Sequence, residues 1–252
     1  MMSFVDTEKS GMVVILKLDR PEKLNALNEE MRLELISCLK DANSDPSVRC
    51  VVLTGSGKAF CVGADLASAG DDLGRDLAET FHPILSEIRS GPKIYLSAVN
   101  GIAAGAGISI ALAADVRFCS AASRFVTAFH RVGLAPDTGL SFMLPRMMGA
   151  GRAMDLLIRG GEFSAQEAEE FGLFRKSDDP LNEALREAEA IAGGPFLSHV
   201  ESKRLVNRAV FGGMPAFLAF ESKLQGRLGR TRDHEEGKRA FSEKRQPSFK
   251  GE

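Results

Sequence analysis

No stretch of the 252 residues offers the roughly 18 consecutive apolar positions that a membrane-spanning helix needs. The longest apolar run, Ile102 to Ala114, is broken by glycines and by Ser109. The N-terminal stretch from Met1 to Leu16 lacks a basic leader and a small-residue cleavage site, so no secretory signal is expected. Nor is there an excess of one charge. The 32 basic residues nearly match the 34 acidic ones, for a formal charge of −2. That balance argues against a strongly basic nucleic-acid binder, although a local basic patch remains open. Cysteine is scarce. Cys38, Cys50, Cys61 and Cys119 form no Cys-x-x-Cys pair and have no histidine at ligand spacing. They are expected to be reduced, mostly buried thiols of a cytoplasmic protein, with no metal site. A composition of 44% hydrophobic and 26% charged residues, well mixed, predicts a folded globular chain.

The first 120 residues alternate strand-like and helix-like patterns. Val13 to Leu18, Cys50 to Leu53, Ile94 to Val99 and Val116 to Cys119 read as short strands. Met31, Leu35, Leu39 and Ala42 mark one apolar helix face, which Asn28 can cap and after which Pro46 follows. Leu73 to Ile88 reads as a second helix, ended by Ser90-Gly91-Pro92. The repeated strand-then-helix order predicts an α/β layer with parallel pairing. Beyond about residue 138 the pattern turns helical: 138–148, 152–158, 165–171, 181–192, 198–210 and 214–227, punctuated by paired glycines. A core over 1–195 and a helical C-terminal region over 196–252 are expected. No internal repeat or low-complexity tract is visible. Residues 200–252 hold 12 basic against 7 acidic residues. That surplus fits a solvated helical face, or a tail that approaches an anionic ligand such as a phosphate.

Two short segments carry the chemical signal. One runs from Ser56 to Leu66 and places Gly63 just before Ala64 and Asp65; the other runs from Asn100 to Ser109 and joins a strand to a helix. Small residues in both let a ligand approach the backbone closely. A helix N-terminus supplies unpaired N–H groups and a positive dipole end. Two such N–H groups aimed at one oxygen would make an oxyanion hole. Each loop alone also fits simple close packing. The glycine pattern from Gly101 to Gly107 is GxxxGxG and not a dinucleotide fingerprint.

Taken together, Arg20-Pro-Glu-Lys-Leu-Asn-Ala-Leu-Asn28, Ala59-Phe-Cys-Val-Gly-Ala-Asp-Leu66, Ala98-Val-Asn-Gly-Ile-Ala-Ala-Gly-Ala-Gly107 and the segment Glu236 to Lys250 resemble the crotonase (enoyl-CoA hydratase/isomerase) superfamily. The resemblance covers nearly the whole chain. It implies a crotonase (ClpP-like) spiral of ββα units with a helical C-terminal trimerisation region, assembled as a homotrimer or a hexamer. It implies an acyl-CoA substrate and no separate cofactor, coenzyme A being part of the substrate. The thioester oxygen would be held by the N–H groups of Ala64 and Ala106; the latter position is commonly glycine in the family. Lys23, Ala26, Gly63, Asp65, Leu66 and Gly105 would flank the substrate. Phe241 and Lys244 match positions that reach the nucleotide end, in some members from a neighbouring subunit. Their bland alternative is a helix with one buried Phe and one surface Lys.

The sequence departs from the hydratase pattern at two places. Hydratases carry two glutamates whose matching positions here are Ser109 and Phe129. Activating water and protonating carbon is work for paired carboxylates, so their loss argues against hydration by that route. A different carboxylate, Asp137, lies in Val132-Gly-Leu-Ala-Pro-Asp-Thr-Gly-Leu-Ser-Phe-Met-Leu-Pro-Arg146, a string similar to the phenylacetate-pathway isomerase branch. That branch isomerises ring-epoxidised phenylacetyl-CoA and includes enzymes that shift a double bond. The resemblance makes Asp137 the acid/base, with Phe129 as an apolar wall able to raise its pKa. Alternatively, Asp137 caps a helix from Thr138 onward. His82 falls where related 4-chlorobenzoyl-CoA dehalogenases carry a functional histidine, whereas the isomerase branch usually has Asn there. It reads either as a catalytic partner or as polar packing. The absence of tryptophan departs from the dehalogenase pattern. His199 and His234 are expected on helix surfaces. The expected activity is acyl-CoA isomerisation. Enoyl-CoA hydration, aspartate-nucleophile chemistry on an aroyl-CoA, and non-catalytic CoA binding are the alternatives.

Overall fold

The computed structural model describes residues 3–68, 70 and 72–252. In chain order, β1 (Val5–Ser10) and β2 (Val13–Leu18) precede helix α1 (Glu29–Ser44), followed by β3 (Cys50–Gly55) and β4 (Ala59–Cys61). A helical run follows: α2 (Leu73–Asp76), a π-helical turn over Leu77–Phe81, and α3 (His82–Ser90). Next come β5 (Ile94–Val99), β6 (Ile102–Ala104), α4 (Ala106–Ala113), β7 (Val116–Ser120) and β8 (Arg124–Thr127). The second half holds α5 (Leu140–Met148), α6 (Ala150–Arg159), β9 (Gly161–Ser164), α7 (Ala165–Glu170), β10 (Arg175–Ser177), α8 (Pro180–Gly193), α9 (Phe196–Val206), α10 (Met214–Leu228) and α11 (Arg232–Ser242).

The strands form two sheets, ordered β1-β2-β3-β5-β7-β10 and β4-β6-β8-β9. Each strand pair β3/β4, β5/β6 and β7/β8 sends its first member to the large sheet and its second to the small one. Pairing is parallel from β2 through β10 in the first sheet and from β4 through β8 in the second. This is the ββα spiral that the motif resemblance implies, and the expected α/β class and strand positions hold. Parallel strands covered on both faces must be apolar on both. In β3, Val51 and Leu53 enter one core while Cys50 and Val52 enter the other. The second core lies under α8, whose small residues Ala184, Ala188 and Ala192 recur every four positions and let the helix approach the sheet.

The Asn28 side chain caps α1, accepting from the Met31 N–H. Burial pushes the Cys50, Cys61 and Cys119 thiols up to about 12, so they are inert packing groups. Three expectations need correction. The helix expected from Thr138 begins at Leu140, because Thr138 and Gly139 are both left-handed, with φ of +51° and +69°. The helix expected over 73–88 is interrupted by the π turn just before His82. His234 is not on the surface: it is 2% exposed, and its Nδ1 lies 2.7 Å from the Val132 carbonyl. Through that contact α11 packs against residues 129–133 of its own chain, where Gly133 and Gly237 leave no room for a Cβ. Among the described residues no helix is long and apolar enough to cross a membrane.

Candidate active site

The two glycine-bearing loops meet. Gly63 has φ +85°, and a methyl group there would lie 2.8 Å from the Ala104 carbonyl oxygen and 3.2 Å from the Ala106 nitrogen. Only a residue without Cβ permits that approach. Gly105 holds φ +51° and ψ −123°, outside the range of L side chains, and ends β6 so that α4 starts at Ala106. Among the described residues the N–H groups of Ala64 and Ala106 meet no acceptor in the chain. Ala106 is the first residue of its helix, where an unpaired N–H is intrinsic. Ala64 is left free because its bridge to Leu27 uses the neighbouring groups: Leu27 N–H donates to Gly63 O, and Asp65 N–H to Leu27 O.

The Arg20 to Asn28 motif braces the first loop. Asn25, fully buried with φ +57°, donates to the Ser56, Ala59 and Phe60 carbonyls. Arg20 donates to the Ala26 carbonyl at 3.0 Å and to Asp65 at 2.7 Å. Burial pushes the Asp65 carboxyl up, but the Arg20 hydrogen bond, the Ala67 N–H and the Arg20 and Lys23 charges outweigh it and hold the group below its usual range. The Asp65 carboxylate is therefore occupied within the chain, and its side chain serves as a clamp. Lys23 is exposed and Ala26 is buried beside this loop; Leu66 opens a short 3-10 turn.

Asp137 comes from the segment before α5. It does not cap that helix: Gly139 occupies the N-cap with no side-chain bond. Its carboxyl instead accepts from Thr138 Oγ1 at 2.9 Å and from Gln225 Nε2 at 2.6 Å. The residue keeps some contact with solvent, yet its carboxyl is surrounded by protein atoms. Burial, followed by the nearby charge of Glu221, raises its pKa to about 7, against the opposing hydrogen bonds of Gln225 and Thr138. Thr138 is fully buried in the left-handed region, a conformation that costs a β-branched residue roughly 1–3 kcal/mol. Ser109, also fully buried, has its Oγ 3.5 Å from the Asp137 carbonyl oxygen. The half-buried ring of Phe129 faces Gly105. Positions 105, 109, 129 and 137 thus belong to one region.

His82 is 7% exposed and bonds Glu221 through Nε2 at 2.9 Å. Glu221 in turn accepts the Gly139 N–H at both carboxylate oxygens, 3.0 and 3.1 Å. Glu221 therefore links His82 to the Asp137 segment by hydrogen bonds. Phe241 stands in the last turn of α11, and Lys244, expected on the same helix, lies just beyond its end. Phe241 is 64% exposed, not the buried ring of the bland alternative, and Lys244 is exposed with φ +53°.

The sequence reading missed Glu221, Gln225 and Thr138. A signal for the first two was present. Met214, Leu218, Glu221 and Gln225 recur at helical spacing, and all four are buried. Two polar residues on a core-facing stripe require partners across the core.

Residues 8–252 match the enoyl-CoA hydratase/isomerase family. The chain is 36% identical to a 1,2-epoxyphenylacetyl-CoA isomerase of Escherichia coli K12, with both sequences covered in full. It is 42% identical to a probable enoyl-CoA hydratase of Rhodobacter capsulatus, covering 97% of this chain and 96% of that one. A trans-2-decenoyl-[acyl-carrier-protein] isomerase of Streptococcus mutans is 34% identical over 95% of each. Among solved structures, an enoyl-CoA hydratase from Mycobacterium avium subsp. paratuberculosis superposes with a TM-score of 0.91 at 28% identity, covering 99% of this chain and all of that one. With the two-sheet spiral, the paired loops and a match along almost its whole length, the chain belongs to the enoyl-CoA hydratase/isomerase family.

Proposed function

We propose that this enzyme is an acyl-CoA isomerase that moves a proton across a thioester enolate, with Asp137 as the proton carrier. The thioester oxygen sits between the Ala64 and Ala106 N–H groups. Asp137, ionised, takes the proton from the carbon next to the carbonyl, and the electron pair of that C–H bond moves toward the oxygen. The two amides stabilise the resulting enolate; losing one such donor costs about 3 kcal/mol of barrier. Asp137 then returns the proton at the far end of the conjugated system. One carboxylate suffices because the same proton leaves and comes back.

What supports this reading is the placement of Asp137: its carboxyl is enclosed and held by Thr138 and Gln225, its carbonyl lies against Ser109, and Ser109 and Phe129 stand where the family's hydratases carry glutamates; burial pushes the carboxyl up to about 7. A group near neutrality is ionised often enough to accept a proton and acidic enough to give it back. Two of the relatives above are named isomerases, one of 1,2-epoxyphenylacetyl-CoA and one of trans-2-decenoyl-[acyl-carrier-protein]. An unsaturated or ring-epoxidised acyl-CoA is accordingly the substrate class. Hydration is the second reading, favoured by the name of the Rhodobacter relative.

Lys23, Ala26 and the Ala64 to Leu66 stretch flank the coenzyme A portion in this reading, Gly63 and Gly105 line the substrate, and Phe241 and Lys244 approach the nucleotide end. A homotrimer or a hexamer would cover Leu197, Leu205 and Phe220, which are 80%, 72% and 57% exposed in the single chain. The test is incubation with 3-enoyl-CoA, crotonyl-CoA and epoxidised phenylacetyl-CoA in D₂O. Isomerisation predicts a rearranged product from the first or third. A 3-hydroxyacyl-CoA as the main product would replace this reading with hydration.

A further inference from the structure

Helix α10 grips the Asp137 segment at three points. Gln225 Nε2 donates to the Ala135 carbonyl at 2.9 Å and to the Asp137 carboxyl at 2.6 Å. One turn earlier, Glu221 takes the Gly139 N–H between its two oxygens. Glu221 is itself oriented by His82, which stands at the start of α3, directly after the π turn. Ser222 Oγ lies 3.4 Å from the other ring nitrogen of His82. The turn being held is the strained one. Thr138 and Gly139 are both left-handed, and Leu85, Met214 and Leu218 close around Gly139, so the turn has little room to relax. A conformation of this kind persists only where its surroundings over-determine it.

We propose that Glu221, oriented by His82, is the positioning residue of this site: by anchoring the Gly139 amide it fixes the 138–139 turn and thereby aims the Asp137 carboxyl. The inference rests on the reading of Asp137 as proton carrier. It gives His82 a role that requires no contact with substrate. It also gives the Glu221 charge a second consequence. The charged or titratable groups facing Asp137 are Glu221 with its partner His82, and Asp76 with its partner Arg32. Both carboxylates oppose ionisation of Asp137, and Glu221 does so more strongly.

The test uses the full chain, 3-enoyl-CoA, and the pH profile of kcat/KM. A base that must be ionised loses activity as pH falls through its pKa. Glu221→Gln breaks the two-oxygen anchor of the Gly139 amide, since one oxygen becomes an NH2 donor, and it removes the charge. Its acid limb is expected to move down by about one pH unit. Its kcat is expected to fall on the order of tenfold, with KM held within about twofold. His82→Ala should lose kcat similarly, and His82→Gln, which can still donate to Glu221, should recover most of it. The histidine pair decides the matter if Glu221→Gln fails to fold. An unmoved acid limb with near-normal kcat in Glu221→Gln would overturn the inference. So would a kcat loss in His82→Gln as deep as in His82→Ala. Asp137→Asn is run alongside: if it still turns over, the parent reading has failed. If it is inactive while Glu221→Gln behaves as wild type, only the positioning role has failed.

Discussion

Gln225 donates to the Asp137 carboxyl at 2.6 Å and so joins helix α10 to the segment that carries the proposed proton carrier. A hydrogen bond to the ionised form favours ionisation, and this one opposes the effect of burial. Gln225→Met removes the donor at nearly constant volume. The acid limb of kcat/KM should then rise by about one pH unit. That is opposite in sign to the effect expected for Glu221→Gln. A limb that does not move would mean that Gln225 serves only the Ala135 carbonyl.

Raising the Asp137 pKa to about 7 has a cost to stability. The folded state binds the Asp137 proton more tightly than the unfolded chain does. Stability therefore declines as pH rises from the ordinary carboxyl range through about 7. Asp137→Asn should relieve this, gaining on the order of 1–3 kcal/mol at pH 8 and little at pH 4. Thermal unfolding at the two pH values reads the difference, and an equal effect at both would contradict it.

Gly63→Ala tests the junction of the two loops. The added methyl would press on the Ala104 carbonyl and the Ala106 nitrogen from a backbone at φ +85°. The two free amides should part, and kcat should fall on the order of 100-fold. Destabilisation of about 1–3 kcal/mol should accompany it. Normal turnover would show that the amides need not converge.

Ser109→Ala should be nearly silent. Among the described residues its hydroxyl makes one long hydrogen bond, 3.5 Å to the Asp137 carbonyl. Steady-state kinetics should agree with wild type within about threefold. A thousand-fold loss would give Ser109 a chemical role and reopen hydration.

Much of the scaffold was legible in the sequence because it follows from local rules. The apolar runs Val13 to Leu18 and Ile94 to Val99, and the Asn28 cap with the apolar face of Met31, Leu35, Leu39 and Ala42, each determine their own element. The paired loops were legible because both glycine-bearing segments occur together and match family motifs, whereas either alone would also fit close packing. Short strands such as β4, β6 and β10 were not, since three residues carry no period and depend on the sheet that receives them. The helix at 138–148 was begun two residues early because its left-handed Thr138 is imposed from outside, by Glu221 and Gln225. Those two residues are distant in sequence from the segment they hold, and local pattern does not reveal such a contact. His234 misled for a related reason: its partner, the Val132 carbonyl, becomes visible only when α11 folds back on residues 129–133.

Isomerisation by this chain depends on a single carboxyl group passing a proton across the bound thioester. Turnover of 3-enoyl-CoA by Asp137→Asn, measured with ligand binding followed separately, is its most direct test. The expected result is loss of isomerisation by at least about three orders of magnitude, with acyl-CoA affinity nearly unchanged. Turnover close to that of the unaltered enzyme would contradict it.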